Sequence, residues 1–240
     1  MIHVERAALP EALAEDLEKR TLGLVAERAD GRAARRHWDN ARACKGQLRQ
    51  LLDGMASGIG RCMYCGDSAG TDIDHFAPLF FAPQRAFAWP NHLLACSYCN
   101  SHAKREQFPI GDDGSPLLVD PSTENPSDHL FLVLSTGSYQ ALTPRGKETI
   151  KVFGLNRGAL EQGRRNAFSI TKYVLEAYLR YHDNGMGKQA REVLNDLEQQ
   201  PFADVREAMQ WTWRNAAAED AELLLGGREM LRAIAVLATR

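Results

Sequence analysis

Apolar positions recur at helical spacing towards both ends of the chain, and a different pattern interrupts them in the middle. Over residues 11–55, Leu13, Leu17, Leu22 and Val25, then Trp38, Leu48, Leu51 and Leu52, stand among strong helix formers. This predicts two helices broken near Asp30-Gly31. From Pro144 onward the helical period returns at Ile150, Val152 and Phe153, then at Phe168, Ile170, Val174, Leu175, Tyr178 and Leu179. Asn184-Gly185-Met186-Gly187, Pro201 and Gly226-Gly227 cut the remainder into about three more helices. Two short runs, Leu130 to Leu134 and Tyr139 to Leu142, flank Ser135-Thr136-Gly137-Ser138 and predict a β-hairpin.

Between Ser57 and Gly114 the character changes: short extended runs lie between glycines and prolines, and the segment holds four of the five cysteines and three of the seven histidines. The expected organisation is a helical region over 1–58, a compact core over 59–112, a loop-and-hairpin connector over 113–160 and a second helical region over 161–240. The fold class is mainly α with a small metal-stapled core.

Composition narrows the setting. With 44% hydrophobic and 25% charged residues the chain is an ordinary globular protein. It has no apolar run of about 18 residues, and its opening MIHVERAALPEALAEDLEKR is acidic where a secretory leader would be basic and then apolar. A cytoplasmic location without a membrane partner is expected. Thiols stay reduced there, so the cysteines read as metal ligands, reactive thiols or small buried hydrophobes. A net charge of −2 gives no global attraction to nucleic acid, and residues 183–240, with 7 basic and 10 acidic residues, carry net −3. That end reads as scaffold or protein contact.

Cys62-Met-Tyr-Cys65 and Cys96-Ser-Tyr-Cys99 are two tight turns that can each aim two thiolates at one ion. Zn²⁺ takes four sulfurs tetrahedrally, and binding it supplies folding energy that so small a core lacks. With four sulfurs bound no position remains for water, so the expected zinc is a clamp. Cys44, alone in a helical stretch, reads as a packed hydrophobe.

Between the pairs, Asp72-Ile73-Asp74-His75 alternates as a strand would, putting Asp74 and His75 on opposite sides. Asn91 follows His75 by sixteen residues, Asn100 comes nine later, behind the last cysteine, and Lys104 one turn on. The order CxxC, Asp-His, Asn, CxxC-Asn resembles the HNH endonuclease signature, whose ββα-metal fold puts the His on the first strand, the middle Asn in the loop and the third residue on the helix. The likeness implies phosphodiester hydrolysis. His75 would be the general base, Asp74 and Asn100 the oxygen ligands of a catalytic Mg²⁺ or Mn²⁺, and Asn91 the residue that positions the loop and the His75 ring. His102 is the alternative to Asn100 as ligand. Lys104 reads as a phosphate contact or as a solvated surface lysine. His92 has no assigned role.

The likeness runs further. NHLLACSYCNSHAKREQFP over 91–109, Leu117-Leu118-Val119-Asp120-Pro121, Asn125-Pro126-Ser127-Asp128-His129-Leu130 and Thr149-Ile150-Lys151-Val152-Phe153-Gly154-Leu155-Asn156-Arg157 resemble the HNH nuclease family of Septu antiphage systems (PtuB) and its retron-associated relatives. This family implies antiviral defence, a DNA or RNA substrate and an ATPase partner of the PtuA type, with a homo-oligomer left open. Many relatives carry Glu-His where this chain has Asp74-His75, and an aliphatic residue where it has His92. Two other classes remain: a stand-alone HNH endonuclease, which would need a basic DNA-reading helix, and a zinc-stapled binding module without cleavage, which would be expected to lack Asp74, His75 or Asn100.

Overall fold

In the computed structural model, which describes residues 1–238, α1 (Glu11–Ala26) starts directly after Pro10 and buries Leu13, Leu17 and Leu24 on one stripe. Leu22 and Val25, expected to face inward, lie off that stripe and are exposed. The chain then makes two helices where one was expected. α2 (Gly31–Asn40) is capped by Asp30, whose carboxylate accepts from the Ala33 amide at 2.8 Å, and α3 (Arg42–Met55) follows after a turn at Ala41. No glycine or proline marks this turn. The two helices bury different faces, Ala34 and Trp38 in α2 and Cys44, Leu48 and Leu52 in α3.

β1 (Asp72–His75) and β2 (His92–Ala95) pair antiparallel, with His75 opposite His92 and Asp74 opposite Leu93. A wide, π-type helical segment (Tyr98–Lys104) follows at once. β3 (Leu130–Val133) and β4 (Ser138–Ala141) form the expected hairpin. α4 (Pro144–Phe153) begins with Thr143 as cap and Pro144 in the first turn, and ends at Gly154 in the left-handed region, φ 57°. A Cβ at Gly146 would stand 2.0 Å from the His129 carbonyl oxygen, so only glycine lets this helix approach the hairpin so closely.

α5 (Gly158–Asp183) is followed by four helices where about three were expected: α6 (Gly187–Glu198), α7 (Ala203–Asn215), α8 (Ala218–Leu225) and α9 (Arg228–Leu237). The added break, at Ala216-Ala217, lies in good helix formers and has no local signal. These helices belong to the same core as the rest: buried apolar side chains form one cluster from Met1 to Ile234. An interior ionic knot ties them in. The Asp204 carboxylate accepts from the Met1 α-ammonium at 3.0 Å, Arg164 Nε at 3.1 Å and the Tyr139 hydroxyl at 2.7 Å. Burial pushes this carboxyl up, but the two cations outweigh it and hold it at about 2.

The segments after the cysteine-rich core serve this packing. The Val119 amide donates to Thr149 Oγ1 at 2.9 Å, and the Asn156 side chain pairs with both backbone groups of Tyr139. Arg6, from the opening segment, donates to the carbonyls of Trp89 and His92 at 2.8 and 3.1 Å and so pins the start of β2. No described helix is long and apolar enough to cross a membrane.

Candidate metal centre and adjoining cleft

The first cysteine pair sits in a turn closed by Gly66, φ 69°, whose amide donates to the Cys62 carbonyl at 2.9 Å, while the Met63 amide reaches Leu94 of β2. The second pair leaves the end of β2 and enters the π-type segment. The strand pairing therefore stacks the turns, and the sulfurs of Cys62, Cys65, Cys96 and Cys99 all lie within 4.8 Å of one another, all buried, with Cys65 and Cys96 at 3.9 Å. Four sulfurs at about 2.3 Å from one ion would stand close to 3.8 Å apart, so the set fits a tetrahedral metal such as zinc. Burial, and then the neighbouring Cys65 and Cys96 sulfurs, push the Cys62 thiol well up, a cost that a bound cation would offset. Cys44 is buried in α3, away from this group.

Tyr64, inside the first turn, carries the metal knuckle into the neighbouring polar cluster. It is fully buried, its ring stacks on Phe153 of α4 at 3.9 Å, and its hydroxyl donates to Asp74 Oδ2 at 2.6 Å. Asp74 Oδ1 accepts from Lys104 Nζ at 3.0 Å, and Lys104 also donates to the His75 carbonyl at 2.7 Å. Lys104 is thus no surface residue: its ammonium is buried and held by this pair. Burial pushes the Asp74 carboxyl up, and Lys104 is the main opposing influence.

Asn100 points its amide nitrogen at the second carboxylate of β1, Asp72 Oδ2, at 3.0 Å. The carboxylate oxygen accepts there, so the amide turns its NH₂ to Asp72 and keeps its carbonyl oxygen uncommitted. His102 is exposed, with Nδ1 3.2 Å from the Ser97 carbonyl oxygen. Asp74, His75, Asn100 and Lys104 line one cleft of about 290 Å³; His102 does not.

Asn91 is fully buried and satisfied. Its side-chain oxygen accepts from the Ala77 amide at 2.8 Å, and its nitrogen donates to the carbonyls of Ala77 and Arg85, both at 3.1 Å. These bonds fold the segment after β1 back on itself and present the next carbonyl, Ala86, to His75 Nε2 at 3.0 Å. A carbonyl only accepts, so Nε2 carries the proton and Nδ1 the lone pair. Burial, then the His92 ring, hold the His75 imidazole well below its ordinary pKa, so it is neutral at pH 7. Trp38 of α2 packs edge-on against it, ring centres 4.5 Å apart.

His92 donates to the same Ala86 carbonyl from its Nε2 at 2.9 Å and lies against the Trp38 ring at 5.0 Å. Its Nδ1 is buried without a partner, and burial pushes its pKa down to about 4. The unfolded chain would take up this proton near pH 6.5 and the folded chain only near pH 4. Stability from this group is therefore complete above about 6.5 and is lost as pH falls towards 4, by about 3 kcal/mol in all. Urea denaturation at about pH 7 and about pH 4 should show this loss, and His92→Leu should remove that part of it. Equal acid loss in both proteins would assign the effect to other groups.

Tyr64, Trp38 and His92 are the site residues that sequence reasoning missed. Tyr64 had a faint signal, since both cysteine turns place a tyrosine before their second cysteine. Tyr98, its counterpart, is exposed under the Arg157 guanidinium, 4.1 Å from ring centre to charge.

No family model matches this sequence. It is similar to the Septu protein PtuB of Bacillus mycoides (strain KBAB4), 27% identical over 147 residues, an alignment that covers 49% of this chain and 49% of the relative. The chain thus spans about half the length of the curated relative it matches, and it resembles PtuB over that half.

Proposed function

We propose that this chain is a metal-dependent nuclease of the HNH type, acting in a Septu-like antiviral defence complex. The observation that carries the reading is the His75 ring: Nε2–H is committed to the Ala86 carbonyl, and the ring borders a cleft it shares with Asp74 and Asn100. In the proposed reaction Nδ1 of the neutral imidazole takes a proton from water as it attacks the phosphodiester phosphorus. Asn91 and Trp38 keep that ring from turning. The Asp74 carboxylate and the Asn100 carbonyl oxygen are hard donors of the kind Mg²⁺ and Mn²⁺ prefer, and would hold such an ion. When bound, it would offset charge on the phosphorane and on the leaving 3′ oxygen. Lys104 and Tyr64 fix the direction of the Asp74 carboxylate. Zinc in the four-cysteine site would be structural, since thiolates would fill its coordination sphere. We read DNA as the substrate, with RNA as the alternative, in a cytoplasmic setting.

The likeness to a Septu protein supports an ATPase partner of the PtuA type. Trp211, Leu223 and Leu224 leave apolar surface on the C-terminal helices for such a partner or for a second copy. Incubating the purified protein with plasmid DNA and Mg²⁺ or Mn²⁺, alone and with an ATPase encoded beside it, tests the reading. Nicked or linear product that requires the ion is expected. Intact plasmid under every combination would overturn it.

A further inference from the structure

The segment after β1 carries two aromatic side chains that the proposed chemistry does not use. Phe80 and Phe81 are 62% and 59% exposed, although the residues before them, Pro78 and Leu79, line the cleft. Their place is fixed from both sides. Phe80 lies against the first turn of α2, where a Cβ on Gly31 would come within 2.8 Å of its Cα. Phe81 packs edge-on against Phe108 at 5.0 Å, and Phe108 in turn against Phe76 at 5.5 Å. These rings therefore stand on a rigid base with their outer parts in solvent.

An arginine arrives from each of the same two sides. Arg35 is one helical turn beyond Gly31, Arg105 is three residues before Phe108, and both are exposed and line the cleft. Neither guanidinium makes a hydrogen bond or ion pair to the described residues, so their charge is free for a ligand. Arg105 also holds the unusual backbone angle φ 50° as the π-type segment ends. Against them the lining carries Glu106, exposed, and Asp74, whose charge Lys104 already offsets. Two uncommitted guanidiniums beside two presented aromatic faces match a polyanion that carries stackable rings.

We infer that Phe80 and Phe81, with Arg35 and Arg105, form a grip for a single nucleic-acid strand, the bases stacking on the phenylalanines and the phosphates on the arginines. This inference rests on the nuclease reading and deepens it: the cleft takes an unpaired or unstacked stretch in preference to an intact duplex. An intact duplex keeps its bases inside the stack, out of reach of such rings.

Fluorescence anisotropy tests it, using the full chain with His75→Ala to prevent cutting and labelled DNA of about 20 nucleotides, as a single strand and as its blunt duplex. The parent should bind the single strand more tightly. Phe80→Ala with Phe81→Ala should weaken single-strand binding at least about fivefold and leave duplex binding nearly unchanged. Phe81→Trp keeps a stacking face, so it should retain affinity and show quenched indole emission when the strand binds. Arg35→Ala with Arg105→Ala should lower the slope of log affinity against log salt by about 1.4 on the single strand, about 0.7 for each phosphate that is no longer neutralised. Unchanged single-strand affinity in the double phenylalanine variant would overturn the grip and leave that face to a protein partner. Absence of any nucleic-acid binding by the parent would instead sink the nuclease reading itself.

Discussion

His75→Ala should abolish cleavage, by at least about a hundredfold and up to about ten-thousandfold, the range that a positioned proton acceptor contributes. The fold should survive. His75 is buried, but its side chain holds little together: the one described hydrogen bond of the ring goes to the Ala86 carbonyl, which His92 also serves. Circular dichroism and metal content should match the parent, so the loss would be chemical. His75→Gln, which can keep a bond to Ala86 but has no basic nitrogen, should be equally dead. A fully active His75→Ala protein would move the base elsewhere; His102, the alternative to Asn100, is exposed on the Ser97 side and does not line the cleft.

Cys99→Ser should cost the protein its fold before its chemistry. Cys99 is fully buried, and its sulfur is one of four converging within 4.8 Å. Apparent binding energies for structural zinc are about 10–16 kcal/mol, comparable with or larger than the whole stability of a typical domain of about 5–15 kcal/mol. Losing one thiolate of four should therefore leave mostly insoluble chain, and a strong chelator should lower the melting temperature of the parent in the same direction. Elemental analysis should find one zinc per parent chain. A Cys99→Ser protein that stays folded and metal-free would show that the tetrad is not a structural clamp.

Much of this architecture was legible because its signals are local. Two CxxC pairs announce themselves by spacing, and the alternation of Asp72 to His75 announces a strand. Pro144 and Gly154 bracket a helix by fixed rules of capping. What stayed illegible depends on partners far along the chain. Lys104 read as a phosphate contact or a solvated surface lysine because nothing near it in sequence says that Asp74 waits in the interior 30 residues earlier. The break at Ala41 has no glycine or proline to mark it; the helices on either side bury different faces, which periodicity alone averages away. Leu22 and Val25 looked inward because they are apolar, whereas the stripe through Leu13, Leu17 and Leu24 decides the face. Tyr64 and Tyr98 both precede a second cysteine, yet Tyr64 is buried under Phe153 of α4 whereas Tyr98 opens the π-type segment and is exposed.

The contact between Tyr64 and Phe153 bears on how the protein is made. Tyr64 steers the Asp74 carboxylate, and Phe153 backs the Tyr64 ring from a position 89 residues later. A ribosome delivers residues in order, so the thiolates, the histidine and both asparagines are all synthesised before the aromatic plate that squares up the carboxylate. A message broken between Glu106 and α4 would yield a chain with every cleft residue and no trued cleft. Translation of α4 would therefore be the step that completes the cleft.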